Sequence, residues 1–248
     1  RVLTEAEVAR VERSGAEYAV TAHVGSAQQT FTCDALLVAV GRAPNVDGLG
    51  LEAAGVRYDT RNGIAVDSYL ATSSPRIYAL GDVAGGLLFA HAAAAQAKIA
   101  TRNALIPIRK RLDERVTPWA TFTEPEVGRV GLTEAQARQA HGDAIWTTTL
   151  SMASVDRAAT ESATQGFIKL VATAGGRLLG ATVVGEAAGE VINEVALAMT
   201  HGLTLAQLAA TTHVYPTIAL GLQQAAGQYT LRQTSQSGLV RLLRTLAR

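Results

Sequence analysis

Two early segments, Glu17 to Val24 and Gln29 to Val40, are rich in apolar and β-branched residues with a few polar ones between, and Gly25-Ser26-Ala27-Gln28 between them has the composition of a hairpin turn. Such β-type segments on either side of a hairpin signal are both expected as β-strands. Leu49 to Ala54 reads as a short helix stopped by Gly55, Ile64 to Asp67 as a short strand, and Thr72-Ser73-Ser74-Pro75 as a turn. The apolar run Ile77 to Leu80 ends in Gly81-Asp82, a glycine pair follows at Gly85-Gly86, and an alanine-rich stretch runs from Ala90 to Leu105. Strand, loop and helix are expected there in that order. Pro107 ends the helix, and Arg109 to Arg115 form a charged, solvated linker.

The texture changes at Thr117. Thr133 followed three residues later by Gln136 has the spacing of a helix N-cap and its capping-box partner. Strands are expected at Ala144 to Ser151, Gly166 to Ala172 and, after the Gly175-Gly176 turn, Leu178 to Gly185; helices are expected at Ala188 to Thr200 and Thr204 to Ala210. A strand meander followed by segregated helices makes an α+β module, so the chain is expected to join an α/β part to an α+β part.

Composition narrows the classes. Of 248 residues 48% are hydrophobic and 17% charged, with a net charge of +1, which fits a globular protein of one or two domains. That balance gives no reason to expect nucleic acid or an anionic membrane as partner. No apolar run is long enough to span a bilayer and no secretory leader is visible, so a cytoplasmic protein is expected. The single cysteine, Cys33, cannot form an intrachain disulfide and is read as a small core residue within the strand-like run from Thr30 to Val40. His91, His141 and His201 lack ligand spacing, and no metal site is expected.

The candidate chemistry lies at Gly81-Asp82. A carboxylate after an apolar run can accept hydrogen bonds from a hydroxylated ligand, glycines let backbone approach it, and a helix start offers unpaired N–H groups. A plain crossover with an aspartate ahead of its helix has the same spacing.

Ile77-Tyr78-Ala79-Leu80-Gly81-Asp82 resembles the second flavin-binding motif of the FAD-dependent pyridine nucleotide-disulfide oxidoreductases, the family of lipoamide dehydrogenase, glutathione reductase and mercuric reductase. The turn Val40-Gly41-Arg42-Ala43-Pro44-Asn45 resembles a second signature of that family, and Phe89-Ala90-His91 stands where it has L-A-H. The resemblance implies that Asp82, after Gly81, binds the sugar-alcohol chain of FAD, and that the backbone of Phe89, Ala90 and His91 faces the flavin. Gly41 would pass close to the nicotinamide nucleotide of NAD(P)H. It also implies Rossmann-like remnants of an NAD(P)-binding domain (residues 1–44) and an FAD-binding domain (residues 45–115), then an interface domain (residues 116–248) that builds a homodimer. Because the chain starts at Arg1 within what would be the nicotinamide domain, a piece of a longer protein is expected, and a non-catalytic dimerisation module is one alternative.

His213-Val214-Tyr215-Pro216-Thr217-Ile218-Ala219-Leu220 bears on the substrate. Disulfide-reducing members carry H-x-H-P-T-x-x-E, whose second histidine is an acid-base and whose glutamate orients it. Here Tyr215 and Leu220 hold those positions. A phenol titrating near 10 is a poor acid-base for a thiol at neutral pH. The resemblance is to mercuric reductase at this point, with Tyr215 as the catalytic candidate. A flavin-dependent NAD(P)H oxidoreductase is expected, its electron acceptor a thiol or disulfide, a soft metal ion or a quinone; a lipoamide- or glutathione-type reductase is the alternative. Unlike mercuric reductases the chain ends without a cysteine pair, and Gly238 to Arg248 reads as a short basic helix.

Overall fold

The computed structural model describes residues 1–236; the basic helix expected over residues 238–248 lies outside them. The chain divides into two units, Arg1–Pro44 and Asn45 onward.

The first unit is an antiparallel sheet of β1 (Ala6–Ser14), β2 (Glu17–Val24) and β3 (Ala27–Cys33) in that order. Gly25, at φ 59°, makes the tight connection between β2 and β3 that its lack of a Cβ allows. The second expected strand is shortened: it stops at Cys33, and Asp34 to Val40 form no ladder. Leu37 and Val40 are each 89% exposed, because a strand needs a neighbour and none of the described residues pairs with this run. Cys33 is half-buried, paired across the ladder with Tyr18.

The second unit begins with a small core of Val46, Leu51, Val56, Ile64 and Ala79. The helix expected at Leu49 to Ala54 is a set of turns instead. Gly48, Gly50 and Gly55 all take positive φ there, which breaks helical continuity. β4 (Tyr58–Asp59) pairs with β5 (Gly63–Ile64), shorter than the expected strand through Asp67. Ile77 to Leu80 is likewise not a strand: a single bridge between Ala71 and Tyr78 is all that forms before a 3-10 turn at Gly81–Ala84. Then α1 (Ala90–Leu105) forms over the expected residues. Its buried side carries Ala92, Gln96, Ala100 and Asn103. Asn103 fixes the chain beyond the helix, donating to the carbonyls of Tyr69 (3.0 Å) and Lys110 (2.8 Å) and accepting from Lys110 N (2.7 Å). Within the charged linker Arg109 pairs with Asp67 at 3.2 Å and lies over the Tyr69 ring.

From residue 119 a five-stranded antiparallel sheet is built from β6 (Trp119–Thr121), β7 (Glu126–Gly131), β8 (Ile145–Ser151), β9 (Phe167–Thr173) and β10 (Leu178–Gly185), in the order β6-β7-β10-β9-β8. Val130, Ile168, Leu170, Ala181 and Val183 bury the face against which the helices α4 (Ala188–Thr200), α5 (Leu205–Ala210) and α6 (Leu220–Gln236) pack. α4 places Val191, Ile192 and Val195 in this core, α5 Leu205 and Leu208, and α6 Leu222, Ala225, Ala226 and Tyr229. The spacing of the α6 set is that of one helical face. Two shorter helices sit between strands, α2 (Glu134–His141) after β7 and α3 (Asp156–Thr160) after β8. The capping box on α2 is complete, Thr133 Oγ1 accepting from Gln136 N at 3.1 Å and Gln136 Oε1 from Thr133 N at 2.9 Å. Glu134 takes Lys169 at 2.5 Å and Arg138 at 2.8 Å, and these two cations hold its carboxyl below the usual glutamate value.

Candidate functional site

Five of the candidate residues share one short stretch, and local geometry explains why. Gly81 sits at φ 71°, where a side chain would be strained, and is buried. Its N–H donates to Gln96 Oε1 at 2.6 Å, while Gln96 Nε2 donates to Glu114 Oε1 at 3.3 Å. The 3-10 turn carrying Asp82, itself half-buried, is thus tied to the middle of α1. Gly85 closes the turn at φ 73°, its N–H on the Asp82 carbonyl at 3.2 Å; a Cβ there would come within 2.7 Å of the Asn62 carbonyl.

α1 starts without a side-chain cap. Phe89 is the N-cap residue in extended backbone, no side chain accepts from the first turn, and the turn holds no acidic residue. Its leading N–H groups therefore keep the partial positive charge of a helix start, beside the exposed methyl of Ala90. The side chains around it form a ladder: Phe89 stacks on His91 at 5.4 Å between centroids and on Trp119 at 6.2 Å, and the Arg129 guanidinium lies over the Trp119 ring at 5.5 Å. His91 is turned towards the chain after the linker, Nε2 at 2.7 Å from the Pro118 carbonyl, so what this residue offers at the helix start is its backbone.

This set fits a flavin. A half-buried carboxylate suits a polyhydroxyl chain, an uncapped helix start suits an electron-rich ring edge, and alanines at 90 and 94 leave that face shallow and exposed. Gly41, at φ 133° with open space around its Cβ position, belongs to the first unit.

Tyr215 stands apart, on the strap between α5 and α6. It is 67% exposed, and the carboxylate of Asp156, the first residue of α3, acts on its hydroxyl and raises the phenol above its ordinary value. Residues around it on the strap and at the start of α6 hold the backbone in place. Thr217 Oγ1 donates to the Val214 carbonyl at 2.8 Å and accepts from Leu220 N at 3.2 Å, which starts α6. A side chain at Gly221 would run into Ile168 Cδ1 at 2.5 Å and Val155 Cγ2 at 2.9 Å, so α6 sits close against the sheet. Gln223 Nε2 donates to the Thr211 carbonyl at 2.8 Å. Among the described residues no group of three or more His, Cys, Asp or Glu is gathered closely enough to hold a metal ion.

Gln96, Trp119 and Asp156 were not among the expected site residues. Gln96 had a signal, a lone amide on the buried stripe of an alanine-rich helix; Trp119 and Asp156 meet their partners only through tertiary folding.

Residues 1–97 match the family described as pyridine nucleotide-disulphide oxidoreductase, and residues 117–226 match its dimerisation domain. The chain belongs to the pyridine nucleotide-disulphide oxidoreductase family. Among the curated members of this family it is 42% identical over 230 residues to a mercuric reductase of Streptomyces lividans, covering 92% of this chain and 48% of that one. It is 40% identical over 216 residues to a dihydrolipoyl dehydrogenase of Thermus scotoductus, covering 87% and 46%. The chain spans about half the length of the curated relatives it matches. Two solved family structures share its fold: LpdA of Mycobacterium tuberculosis, at TM-score 0.82 and 32% identity over 90% of this chain and 48% of that one, and the Cu(II) complex of the HOCl-induced flavoprotein disulfide reductase RclA of Escherichia coli, at TM-score 0.78 and 32% identity over 90% and 50%. Within the family its fold class is the expected one, α/β followed by an α+β dimerisation domain.

Proposed function

We propose that the complete protein is a flavin-dependent oxidoreductase that oxidises NADH or NADPH and works as a homodimer in the cytoplasm, each active site completed by the partner's Tyr215 strap. In this reading residues 1–44 belong to the nicotinamide-binding domain, residues 45–115 to the flavin domain and residues 116–248 to the interface domain. FAD, when bound, supplies two-electron chemistry between the nicotinamide and the acceptor. Asp82 accepts from the hydroxyls of its sugar-alcohol chain, Gly81 lets the backbone turn there, and the backbone of Phe89, Ala90 and His91 faces the ring edge, the N–H groups of Ala90 and His91 offering the donors because that of Phe89 is spent on the Leu87 carbonyl. Gly41 leaves room for the nicotinamide nucleotide. Among the described residues no helix is long and apolar enough to cross a membrane.

The acceptor reading rests on one observation: the exposed strap presents the phenol of Tyr215, and not an imidazole. Such a hydroxyl orients an acceptor by hydrogen bonding but does not exchange protons near neutrality. A soft metal ion or a quinone needs no proton delivered to a leaving thiolate by the partner subunit, so these acceptors are favoured over lipoamide or glutathione disulfide. The dihydrolipoyl dehydrogenase relatives keep the disulfide as the competing reading.

Steady-state NAD(P)H oxidation by the full-length protein with each acceptor class decides between them. The absence of acid-base help predicts a gap of about 10² to 10⁴ in kcat/KM in favour of the metal ion or quinone. A disulfide substrate proving best would overturn the proposal. A colourless full-length protein that takes up no FAD would leave only the dimerisation module.

A further inference from the structure

The chain lacks a histidine and a glutamate at the two positions where the disulfide-reducing members have them, yet a histidine–glutamate pair stands two residues upstream of Tyr215. His213 Nε2 lies 2.8 Å from Glu194 Oε1 on α4, and Nδ1 lies 2.9 Å from the Thr211 carbonyl. The imidazole side chain is only 6% exposed. With both ring nitrogens engaged inside the fold, neither faces the outer surface where Tyr215 stands, so the pair is not placed to exchange protons with a substrate there.

Its position in the strap gives it another use. The Thr211 carbonyl that meets His213 also accepts from Gln223 of α6, so the upstream end of the strap is tied to α4 and α6 together. The downstream end is fixed by the Thr217 turn and by Gly221 seated on Ile168 and Val155. Between the two ties the backbone turns outward, leaving Val214 76% and Tyr215 67% exposed. Val155 is the residue before Asp156, so the downstream tie and the hydroxyl's partner share one support.

We propose that Glu194 and His213 act as a brace that fixes the strap and thereby positions Tyr215 for the electron acceptor, His213 being a positioning residue and not a displaced acid-base. The brace rests on the acceptor-site reading of Tyr215 given above. It assigns to α4 a part in the site that no residue of that helix plays by contact.

The test uses the full-length, flavin-loaded protein with His213→Ala, Glu194→Gln, Tyr215→Phe and the double variants. The tyrosinate absorbance of each protein, with that of its Tyr215→Phe counterpart subtracted, isolates the titration of Tyr215. Loss of the brace moves the strap, so His213→Ala is expected to bring that titration down towards an ordinary tyrosine, with Glu194→Gln, which keeps one acceptor oxygen, between the two. An unmoved titration overturns the brace. In turnover, His213→Ala is expected to lower kcat/KM for the acceptor by up to about 10²-fold through misplacement, and to have no further effect once Tyr215 is phenylalanine. An equal loss in both backgrounds would mean general loosening and would also overturn it. Glu194→Gln repeats both arms with the packing of His213 retained, should His213→Ala fail to fold. If Tyr215→Phe alone leaves turnover unchanged, the acceptor-site reading falls, while the titration still decides the brace.

Discussion

Gly81 donates its backbone N–H to the side-chain oxygen of Gln96 across 2.6 Å, which ties the residue ahead of Asp82 to the middle of α1. Gln96 is 4% exposed, so its replacement by leucine strands a buried donor at Gly81, while the exposed carboxylate of Glu114 turns to water. Gln96→Leu is expected to destabilise the protein by about 1–3 kcal/mol. Urea denaturation of wild type and variant measures this; equal midpoints would show that the amide does not hold the turn.

Asp82→Asn keeps the size of the side chain and removes the charge that accepts from a polyol. A charged hydrogen bond contributes roughly 1.5–3 kcal/mol, so the FAD dissociation constant of the full-length protein is expected to rise roughly ten- to a hundredfold. Flavin fluorescence titration reads it. An unchanged constant in a folded variant would reject Asp82 as a ligand.

The strap stands or falls with the helix behind it. Leu222 is fully buried in the core between sheet and helices. Leu222→Ala is expected to cost about 2–5 kcal/mol, as large-to-small changes in cores do. Thermal unfolding followed by circular dichroism provides the measurement, and a loss under 1 kcal/mol, on the order of a surface change, would contradict the packing.

Tyr215 gives a pH dependence whose sign is fixed. The carboxylate of Asp156 favours the neutral phenol, so the folded-state value lies above the unfolded one, near 10. The stability it contributes is complete below that unfolded value and is lost as pH rises through the folded one. Asp156→Asn is expected to lower the Tyr215 titration and to flatten this alkaline loss, seen by comparing unfolding of the two proteins on either side of pH ~10. A titration unmoved by the substitution would mean that Asp156 does not hold the hydroxyl.

What the sequence disclosed follows the range of the forces involved. α1 and α4 form over their expected residues, and the Thr133–Gln136 box is complete, because propensity and capping act within a turn or two. The run to Val40 has strand composition but no neighbour among the described residues, so composition overstated it. Leu49 to Ala54 has helical residues, and flanking glycines at positive φ prevail. α6 was not foreseen although Leu222, Ala225, Ala226 and Tyr229 carry its period; Gly221 and Gly227 weaken its local propensity and tertiary packing supplies what they lack. The site divides in the same way. Gly81, Asp82 and Phe89 to His91 are close in sequence, so a local motif suffices to mark them as candidates, whereas Gln96 with Gly81, Asp156 with Tyr215 and Glu194 with His213 are partnerships across the fold that no local pattern announces.

The strand order β6-β7-β10-β9-β8 also sets a timetable for synthesis. β7 and β9 share a single neighbour, β10, whose Ala181 faces Val130 on one side and Leu170 on the other. Until the ribosome has released Leu178–Gly185, the nascent chain holds one strand pair from residues 119–131 and another from residues 145–173, with no ladder to join them. Even then, with α4 seated over β7 and β10, the part of the apolar face on β8 and β9 stays open to water until α6 arrives with Leu222 and Tyr229. This domain is therefore a late closer, most in need of chaperone cover just before its final helix emerges.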